Sequence, residues 1–503
     1  MKKALHLFVL YFFFFHFLYG QGKEGNNWIL GYPVEPEFSS PLFGGTIVSF
    51  NSGKPDTSRF VTKRGMSSSS IVSDANGNLL FYSNGCDVLN REHEIMLNGD
   101  DINATGSAFY NQYCANGIRD YNVLQDMLSL AWPKHISLYQ IIHIRYEPFK
   151  QYSEIWSATV DIDSAGGLGK VIERNVKLFD KGLTNGYMTA VRHGNGSDWW
   201  ITVPEWSTTR KFVFLLDSLG THGPDIQEDA GILIGSGGSG QSAFSPDGAL
   251  YAEACFFQGQ VMDFDRCTGK FSNPRVIDFN GHPDQCGAGV AFSPDSRYLY
   301  VSLCDSLYQY DMSVEDFNST RLTVAQFDGV IDTSGLKSPS FYTMLLAPDD
   351  KIYMNSGTSS KALHVIHHPN ERGTACDFQK WGLELPTLHY GQMPNLPNFR
   401  LGAIDPPCGS GACDTLPVTE TFTLFPNPTT DYVVVSNKKS ELAGALTFQL
   451  FDALGRQLIE ENMDCLPHRI ELGDLPEAGY FYRVFSAGGE RLGSGTLVKV
   501  SRR

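Results

Sequence analysis

The most regular feature of the chain is a short apolar stretch that runs into a turn rich in Pro, Asp, Asn and Gly, followed at once by a second apolar stretch. Turns of this composition join the two strands of a β-hairpin. The repeats are AFSPDGALY at 243–251, AFSPDSRYLY at 291–300, LAPDDKIY at 346–353, VSDANGNLLF at 72–81, RHGNGSDWW at 192–200 and, more faintly, WPKHISLY at 132–139. The turns centre on positions 74, 134, 195, 247, 295 and 349, so a hairpin recurs every 48 to 61 residues.

Each hairpin is followed by a further apolar stretch that ends in an acidic residue, as in VMDFD up to Asp265 and LYQYD up to Asp311. A period of about 50 residues with three or four strands per unit predicts a β-propeller, in which each unit is one blade. A β-helix needs a much shorter period, and two β-sandwiches would not repeat one turn. Six turns predict six blades, and the strands at 28–32 and 46–50 together with the tail after Cys376 offer a seventh. We therefore expect an all-β fold with a six- or seven-bladed propeller.

The repeat stops near residue 404, and the remaining pattern is different. Residues 405–421 are rich in Pro, Gly and Thr without periodicity, which predicts a linker. Alternating apolar positions then predict five strands, at 431–436, 446–452, 468–472, 479–486 and 492–500, which suit a small β-sandwich. The predicted organisation is a signal peptide over 1–20, a propeller over 21–404, the linker over 405–421 and a small β domain over 422–503.

The first twenty residues, MKKALHLFVLYFFFFHFLYG, place two lysines before an apolar run and a small residue, Gly20, before polar Gln21. This order is that of a secretory signal peptide with its cleavage site. A retained membrane anchor is the alternative, but the apolar run is shorter than the roughly 20 residues that a spanning helix needs. We expect cleavage, export to an oxidising compartment and no membrane-spanning segment in the mature protein.

Composition narrows the classes of function. The chain has 39 Lys and Arg against 55 Asp and Glu, a formal net charge of −16, which argues against binding to nucleic-acid phosphates. Ten cysteines in an exported chain favour disulfides, and Cys286 and Cys304 are predicted to pair on one blade. No HExxH or GxSxG motif occurs, and the Asp- and Asn-rich turns at 74–78 and 161–166 lack the acid that a calcium loop carries at its twelfth position. The sequence therefore nominates no metal, no cofactor and no catalytic residue.

Four blocks near the C-terminus are distinctive: LFPNPTTDYVVV at 424–435, FQLFDALGRQL at 448–458, IELGDLPEAGYFYRVF at 470–485 and GTLVKV at 495–500. In this order they resemble the C-terminal sorting domain of the type IX secretion system. The matching positions are Pro426, Asn427, Pro428, Asp452, Gly455, Arg456, Gly479, Tyr480 and Lys499. The resemblance implies that the type IX secretion machinery is a partner, and that the protein passes through the periplasm and outer membrane to the cell surface or the extracellular space.

The propeller region also carries distinctive stretches, namely SDANGNLLFYSNG, EHEIMLNG, GLGKVIERN, TAVRHGNGSDWWI and PNFRLG…CDTL. The FSPDG turn at 244–248 resembles that of WD-repeat-like propellers, and the longer stretches resemble a family of exported bacterial propellers found with gliding-associated surface proteins. This resemblance covers residues 27 to about 416. It implies an exported propeller and brings no known activity with it.

In a propeller the repeated hairpin turns lie on one face, and ligands usually bind on the other. Aromatic rings together with acids and amides suit a carbohydrate or a peptide. The alternative is that Trp206 packs between blades and that the charged side chains are simply solvated. A long insertion at 98–126, with three tyrosines, is expected beside these residues. The residues nominated for ligand binding are Asn84, Asp87, Glu205, Trp206, Arg210, His282, Asp284 and Asp305.

Together these patterns predict an exported propeller that binds a glycan, a peptide or another surface protein without catalysis. The alternative is a propeller-based glycoside hydrolase or lyase, which would need two carboxylates roughly 5–9 Å apart in the axial funnel. A third interpretation is a scaffold for adhesion or gliding machinery. The axial funnel is therefore the feature of the structure that separates these hypotheses.

Overall fold

A computed structural model of the protein describes residues 22–34, 40–104, 107–115, 119–121, 123–147, 152–183, 186–233, 240–255, 257–279, 288–405, 408, 422–437, 446–463, 468–473, 475–486 and 491–500. The backbone divides into two compact units, the first ending at Gly402 and the second beginning at Ala403. The predicted signal peptide and most of the predicted linker lie outside the described residues, so those domain boundaries stay predictions.

Seven antiparallel sheets, counted over the described residues, make up the first unit, and we number them blades 1 to 7 in chain order. Each sheet is a meander of consecutive strands. The strands are β1 (Asn27–Tyr32), β2 (Gly44–Ser49) and β3 (Asp56–Phe60) in blade 1; β4 (Ser70–Ser73), β5 (Leu79–Ser83) and β6 (Val88–Asn90) in blade 2; β7 (Met127–Ala131), β8 (Leu138–Glu147), β9 (Tyr152–Asp161) and β10 (Lys170–Phe179) in blade 3; and β11 (Thr189–Arg192), β12 (Trp199–Pro204), β13 (Lys211–Asp217) and β14 (Gly220–Gln227) in blade 4.

The last three blades have four strands each. They are β15 (Gln241–Phe244), β16 (Leu250–Ala254), β17 (Gly259–Asp265) and β18 (Lys270–Ile277) in blade 5; β19 (Ala288–Phe292), β20 (Tyr298–Leu303), β21 (Ser306–Asp311) and β22 (Leu322–Gln326) in blade 6; and β23 (Met344–Leu346), β24 (Ile352–Met354), β25 (Ser360–Ile366) and β26 (Phe378–His389) in blade 7. The helical segments described are α1 (Ala108–Tyr113), α2 (Ser164–Gly167) and two 3₁₀ turns, Phe317–Thr320 and Gly373–Cys376.

The repeated turn folds as its pattern predicts, because its polar side chains bond within the turn. In blade 5 the Ser245 hydroxyl donates to the Asp247 carboxylate (2.6 Å), and the Gly248 N–H donates to the Ser245 carbonyl (2.8 Å). In blade 6 the Ser293 hydroxyl donates to the Asp295 carboxylate at 2.6 Å. Gly248 has a φ of +76°, in the region that favours glycine. The SPDG motif of blade 5 and the SPDS motif of blade 6 are thus both hairpin turns.

Neighbouring blades pack face to face around a closed ring. Apolar clusters fill the junctions between blades 1 and 2, 2 and 3, 3 and 4, 5 and 6, 6 and 7, and 7 and 1. At the 7–1 junction, Trp28 and Phe50 pack edge-on against each other and against Tyr353, and all three are almost fully buried. Between blades 4 and 5, Lys211 and Glu253 form a buried ion pair. The first unit is therefore a seven-bladed β-propeller, which confirms the predicted fold class.

Ring closure differs in detail from the expectation that the N-terminal strands and the tail after Cys376 share one blade. The strands β1, β2 and β3 form blade 1 by themselves. The tail supplies β26, which pairs with β25 in blade 7. The end of β26 packs on blade 1, where the Leu388 N–H donates to the Leu42 carbonyl (2.8 Å) and the Thr387 and Thr46 hydroxyls share a hydrogen bond (2.7 Å).

After β26 the chain enters the propeller axis, and we call residues 391–400 the axial segment. The Asn395 N–H donates to the Ser69 carbonyl at the start of blade 2 (3.0 Å). Further along, the Asn398 side chain donates to the Pro246 carbonyl in the hairpin turn of blade 5 (2.9 Å). The segment therefore passes from one face of the propeller to the other. Its PNLPNF stretch has prolines without N–H donors, which disfavours a regular strand there.

The insertion that follows blade 2 is tied to the propeller by a disulfide between Cys86 and Cys114. Its helix α1 begins after Ser107, whose hydroxyl accepts from the Tyr110 N–H (3.1 Å). Cys304 is also disulfide-bonded, as are Cys267 and Cys408. Cys286 lies outside the described residues, so its pairing with Cys304 stays a prediction.

The second unit has two antiparallel sheets over one apolar core that includes Val433, Phe448, Ile470 and Leu497. This arrangement is the predicted β-sandwich. It has two strands in addition to the five expected, at Phe422–Phe425 and Gln457–Met463. Among the described residues, every helix is too short or too polar to cross a membrane. The sheets are formed by β27 (Phe422–Phe425), β28 (Tyr432–Asn437) and β31 (His468–Glu471), and by β29 (Leu446–Phe451), β30 (Gln457–Met463), β32 (Ala478–Ser486) and β33 (Arg491–Lys499).

Candidate binding site on the loop face of the propeller

The propeller has two different faces. We call the end that carries the repeated turns, at 74–78, 132–137, 193–198, 245–249, 293–297 and 347–351, the hairpin face. The opposite end carries the loops at 84–87, 205–210, 255–258, 304–305 and 355–359, and we call it the loop face. The predicted binding residues of the described chain belong to loops of this face, while His282 and Asp284 lie outside the described residues.

Asn84 and Asp87 are fully buried, and their polar atoms bond within the protein. The Asn84 amide donates to the Gly65 carbonyl (3.1 Å), and its oxygen accepts from the Asp87 N–H (3.0 Å). The Asp87 carboxylate accepts from Arg64 Nε and from Arg119 Nε, each at 2.7 Å. These two residues shape the loop and hold the insertion, so their polar atoms are engaged within the protein rather than turned towards a ligand.

Glu205, Trp206 and Arg210 stay together on blade 4. Arg210 Nη1 lies 3.1 Å from the Glu205 carboxylate, and Arg210 Nε lies 2.5 Å from Glu228. Trp206 is partly exposed. Asp305 also lies on the loop face, but on blade 6, with blade 5 between it and this group. The predicted residues therefore occupy separate parts of the face.

An aromatic cluster that the sequence did not reveal lies on the loop face where the first and last blades meet. Tyr32 and Tyr390 stack with ring centroids 5.9 Å apart and planes 23° apart. Phe43 packs edge-on against Tyr32, with centroids 5.8 Å apart. The Tyr32 hydroxyl shares a hydrogen bond with the Ser359 hydroxyl. All three rings are partly exposed, and we call them the aromatic cluster.

Ring closure positions this cluster. Tyr32 ends β1 and Tyr390 directly follows β26, so the two rings meet because the chain's first and last propeller strands are neighbours. The adjacent Gly31 N–H donates to His389 Nδ1 (3.4 Å). These residues are separated by 358 positions in sequence, and no local motif marks them. From the sequence, Tyr32 and Tyr390 could be placed next to each other only by predicting that the ring closes between their two strands.

Two buried carboxyl groups lie near the same end of the axis. The Ser67 hydroxyl donates to Asp120 (2.6 Å), and the Ser68 hydroxyl donates to Asp126 (2.5 Å). Burial raises the pKa of Asp120 to about 6 and raises the pKa of Asp126 well above its usual value. The second oxygen of Asp126 has no hydrogen-bond partner among the described residues. Asp120 also contributes to a raised pKa of Tyr32, whose main cause is burial.

The arrangement of the axis limits the chemistry that the loop face can perform. The axial funnel, where facing carboxylates of a glycosidase would be expected, is entered by the axial segment of the chain itself. The Gln392 side chain accepts from the Gln125 N–H (2.8 Å) and donates to the Val123 carbonyl (2.9 Å) at this entrance. Within the described residues, no three His, Cys, Asp or Glu side chains gather where a metal ion could sit.

In the second unit, the residues nominated from the sorting motif mainly build its turns. Asn427 bonds to the β33 backbone, accepting from the Val498 N–H and donating to the Thr496 carbonyl, both at 2.9 Å. Asp452 and Arg456 pair at 2.7 Å across the β29–β30 turn. That turn contains Gly455, whose φ is +80°. Two further motif residues bond to backbone carbonyls: Lys499 donates to Gly473 (2.5 Å), and the Tyr480 hydroxyl donates to Pro476 (2.5 Å). The peptide bonds before Pro426 and Pro428 are cis. Gly479 pairs with Val498 in the ladder between β32 and β33.

Three known structures share a distant resemblance with the chain. A Bacteroides uniformis protein provisionally assigned as a 6-phosphogluconolactonase is 14% identical with a TM-score of 0.41, over 73% of this chain and 97% of that one. A functionally unknown protein from Desulfotomaculum acetoxidans is 14% identical with a TM-score of 0.39, over 73% and 98%. The β-propeller domain of Swd1 from Myceliophteria thermophila is 10% identical with a TM-score of 0.29, over 75% and 97%. No curated protein matches the chain.

The second unit, in contrast, matches a known family. Residues 423–492 match the family model described as the secretion system C-terminal sorting domain. The match covers the sandwich up to the first residues of β33, and it includes the motif residues described above apart from Lys499. Such a domain directs its protein through the type IX secretion machinery to the cell surface or the extracellular space, and the disulfides of the propeller are consistent with that destination. The chain is therefore an exported seven-bladed β-propeller protein that carries a type IX secretion C-terminal sorting domain.

Proposed function

We propose that the propeller is a non-enzymatic binding protein that presents its loop face to an extracellular glycan. The observation that carries this proposal is the aromatic cluster of Tyr32, Phe43 and Tyr390, which lies on the loop face next to Gly391, where the axial segment begins. A ligand would therefore bind across the mouth rather than deep within a funnel. Partly exposed rings offer flat apolar surface, and their polar edges can orient a sugar ring.

Polar groups that could orient such a ligand border the cluster. The exposed hydroxyl of Ser359 lies beside Tyr32. Arg59 donates to the Phe43 carbonyl at 2.9 Å through Nη2, which holds the backbone that carries the ring. The positions of Tyr32 and Tyr390 are fixed, because these residues end or directly follow paired strands of blades 1 and 7. A preformed site loses little conformational entropy on binding.

Glu205, Trp206 and Arg210, which the sequence nominates, lie together on blade 4 and offer a second polar and aromatic surface on the same face. A long glycan or a surface protein could contact both surfaces, whereas a short glycan would contact the aromatic cluster alone. The two surfaces are therefore separable by mutation. A peptide or protein ligand is an outcome of the same test rather than a second proposal.

A propeller-based glycoside hydrolase or lyase is the second candidate, and one observation favours it. The raised pKa of Asp120, about 6, would allow this residue to donate a proton at neutral pH if a substrate reached it. Against it, Asp120 is only 9% exposed and Asp126 is fully buried. Binding without turnover remains the function that these observations support best.

The test is a glycan array probed with the exported full chain. The variants are Tyr32→Ala/Tyr390→Ala and, as the matched comparison on the same face, Glu205→Ala/Trp206→Ala/Arg210→Ala. We expect retention of specific glycans, weakened at least tenfold by the tyrosine variant. Retention lost only in the blade 4 variant would move the site to that blade. Specific retention of peptides or surface proteins, and of no glycan, would overturn the glycan assignment.

A further inference from the structure

The junction between blades 4 and 5 has a polar interior, whereas apolar clusters fill the other six junctions. Three side chains meet there: Lys211 at the start of β13, Glu253 in β16 and Gln260 in β17. Lys211 is 3% exposed, and the other two are fully buried. A buried ion pair is seldom more stable than apolar residues of similar volume, so packing alone does not account for this choice of residues.

One carboxylate oxygen brings the three side chains together. Glu253 and Gln260 stand directly opposite each other on neighbouring strands of blade 5. Glu253 Oε1 accepts from Gln260 Nε2 (2.5 Å) and from Lys211 Nζ, which reaches it from blade 4. Two short hydrogen bonds through one oxygen span no more than about 5 Å. The lysine amine therefore lies within that distance of the Gln260 amide.

The Gln260 amide is also held and polarised from its other side. Its Oε1 accepts from the Ile232 N–H (2.8 Å), and its Nε2 donates to the Ile232 carbonyl (3.3 Å). An N–H in this position stabilises the negative charge that the oxygen gains when a nucleophile attacks the amide carbon. The second oxygen of Glu253 accepts from the Tyr251 hydroxyl (2.5 Å), which fixes the carboxyl group between amine and amide.

The surroundings also favour Lys211 as a nucleophile. Burial lowers the pKa of Lys211, although the charge of Glu253 opposes this shift. A lowered pKa favours the neutral amine, which is the form that attacks a carbonyl carbon. Glu253 touches both Lys211 Nζ and Gln260 Nε2, so it can carry a proton from one to the other as a general base and acid. Nucleophile, acid–base group and polarised amide thus lie together in the protein interior.

We propose that Lys211 and Gln260 form an isopeptide bond, assisted by Glu253, that links blade 4 covalently to blade 5. The bond would hold together the junction that lacks an apolar cluster among the described residues. It is a modification of the chain itself and does not rest on the glycan proposal. Freshly folded chain would hold the ion pair between Lys211 and Glu253 until the bond forms.

The reaction needs only the three side chains. Nζ of Lys211 passes one proton to Glu253 and, as the neutral amine, attacks Cδ of Gln260 to form the new C–N bond. Glu253 then gives this proton to Nε2, the bond between Cδ and Nε2 breaks, and ammonia leaves. The second proton released by Nζ stays on Glu253. An amine and a primary amide thereby become a secondary amide and ammonia, with no oxidation or reduction.

The test is peptide mass mapping of the exported full chain after reduction of its disulfides. Trypsin should not cut after an acylated lysine, so residues 211–266 should be released as one peptide, about 17 Da lighter than its sequence through the loss of one ammonia. A second digestion between positions 211 and 260 should leave two fragments that stay joined. Ammonia lost by cyclisation of an N-terminal Gln21 would appear in a different peptide. Cleavage after Lys211 that releases residues 212–266 at full mass would overturn the proposal.

Two variants test the assigned roles. Glu253→Met keeps both bond-forming residues and removes the acid–base group, while Lys211→Arg keeps the positive charge and removes the amine. We expect the loss of about 17 Da to disappear in both. The same loss in either variant would overturn the proposal. The unmodified chain is measured first, so the result does not depend on how the variants fold, and the glycan array tests the loop face separately.

Discussion

Asn395 donates its side-chain amide to the carbonyl oxygen of Met188 across the propeller axis, at 2.9 Å. The same amide donates to Met127 (3.0 Å), and its oxygen accepts from the Gln125 side chain (3.3 Å). One buried side chain therefore joins the returning C-terminal segment to the beginnings of blades 3 and 4. Ring closure in this propeller depends on polar contacts at the axis as well as on apolar packing between the first and last blades.

Asn395→Ala should be strongly destabilising, because it removes these bonds and leaves buried carbonyls without a donor. We expect the free energy of unfolding to fall by about 2–4 kcal/mol, measured by urea denaturation. Asn398→Ala is the matched control, since the partly exposed Asn398 side chain donates to the Pro246 carbonyl and accepts only from the nearby Arg400 N–H, at the end of the segment. A loss of about 1 kcal/mol or less is expected there. Equal effects of the two substitutions would contradict the role given to Asn395.

The buried acids make stability depend on pH. The folded-state pKa of Asp120, about 6, is above its unfolded value of 3.8, so the folded state holds the proton more tightly. The stability that Asp120 contributes is complete below the unfolded pKa and is lost as the pH rises through about 6. Asp120→Asn should therefore be more stable than the parent at pH 8, by about 3 kcal/mol. At pH 4 the two proteins should differ little.

Asp311 provides a control with the opposite sign. Its pairing with Arg297 lowers its pKa to about 2, so its contribution is present above the unfolded value of 3.8 and is lost as the pH falls through about 2. Asp311→Asn should be less stable than the parent at both pH 5 and pH 8. Urea unfolding at the three pH values measures both variants. A pH-independent difference for Asp120→Asn would contradict the burial argument.

Lys211 and Glu253 form an ion pair at the 4–5 junction, with both side chains at most 3% exposed. Lys211→Met should cost about 3–5 kcal/mol, because it leaves the Glu253 charge buried without its partner. The double variant Lys211→Met/Glu253→Gln removes the charge while keeping a side chain that can bond to Tyr251 and Gln260. Thermal unfolding should show that the double variant recovers most of the loss. A double variant as unstable as the single one would contradict this account.

The disulfide between Cys86 and Cys114 joins positions 28 residues apart and anchors the insertion beside blade 2. Cys86→Ser/Cys114→Ser should lower the free energy of unfolding by about 3–4 kcal/mol, as loop-closure entropy predicts for a loop of this length. Limited proteolysis should cut first within 91–126. Unchanged proteolysis and unchanged stability would show that the insertion is held by Asp87, Arg64 and Arg119 alone.

Much of the fold could be predicted because its signals are local. The turn at Ser245–Ala249 carries its hydrogen-bonding residues within five positions, and the same chemistry recurs at Ser293. A regular period then predicts blades and a ring. The sandwich was predicted for the same reason, since each strand alternates apolar and polar residues, although β27 and β30 were missed.

The proposed binding surface could not be predicted in the same way, because its contacts are distant in sequence. Tyr32 meets Tyr390 only through ring closure, and the axial segment lacks any periodicity that would place it in the channel. Asn84 and Asp87 were nominated from their position in a loop, but their burial depends on Arg64 and Arg119, which come from other segments. The sequence predicts which loops lie opposite the hairpin turns, whereas the residues that stay exposed on those loops depend on tertiary packing.

The central claim is that the loop face binds a glycan without converting it, and a turnover measurement tests this most directly. A glycan retained on the array would be incubated with the full chain over a long time course and analysed by mass spectrometry, with Asp120→Asn in parallel. The account predicts that the glycan is recovered intact with both proteins. Cleavage that increases with time and is lost in Asp120→Asn would contradict it and identify the propeller as an enzyme.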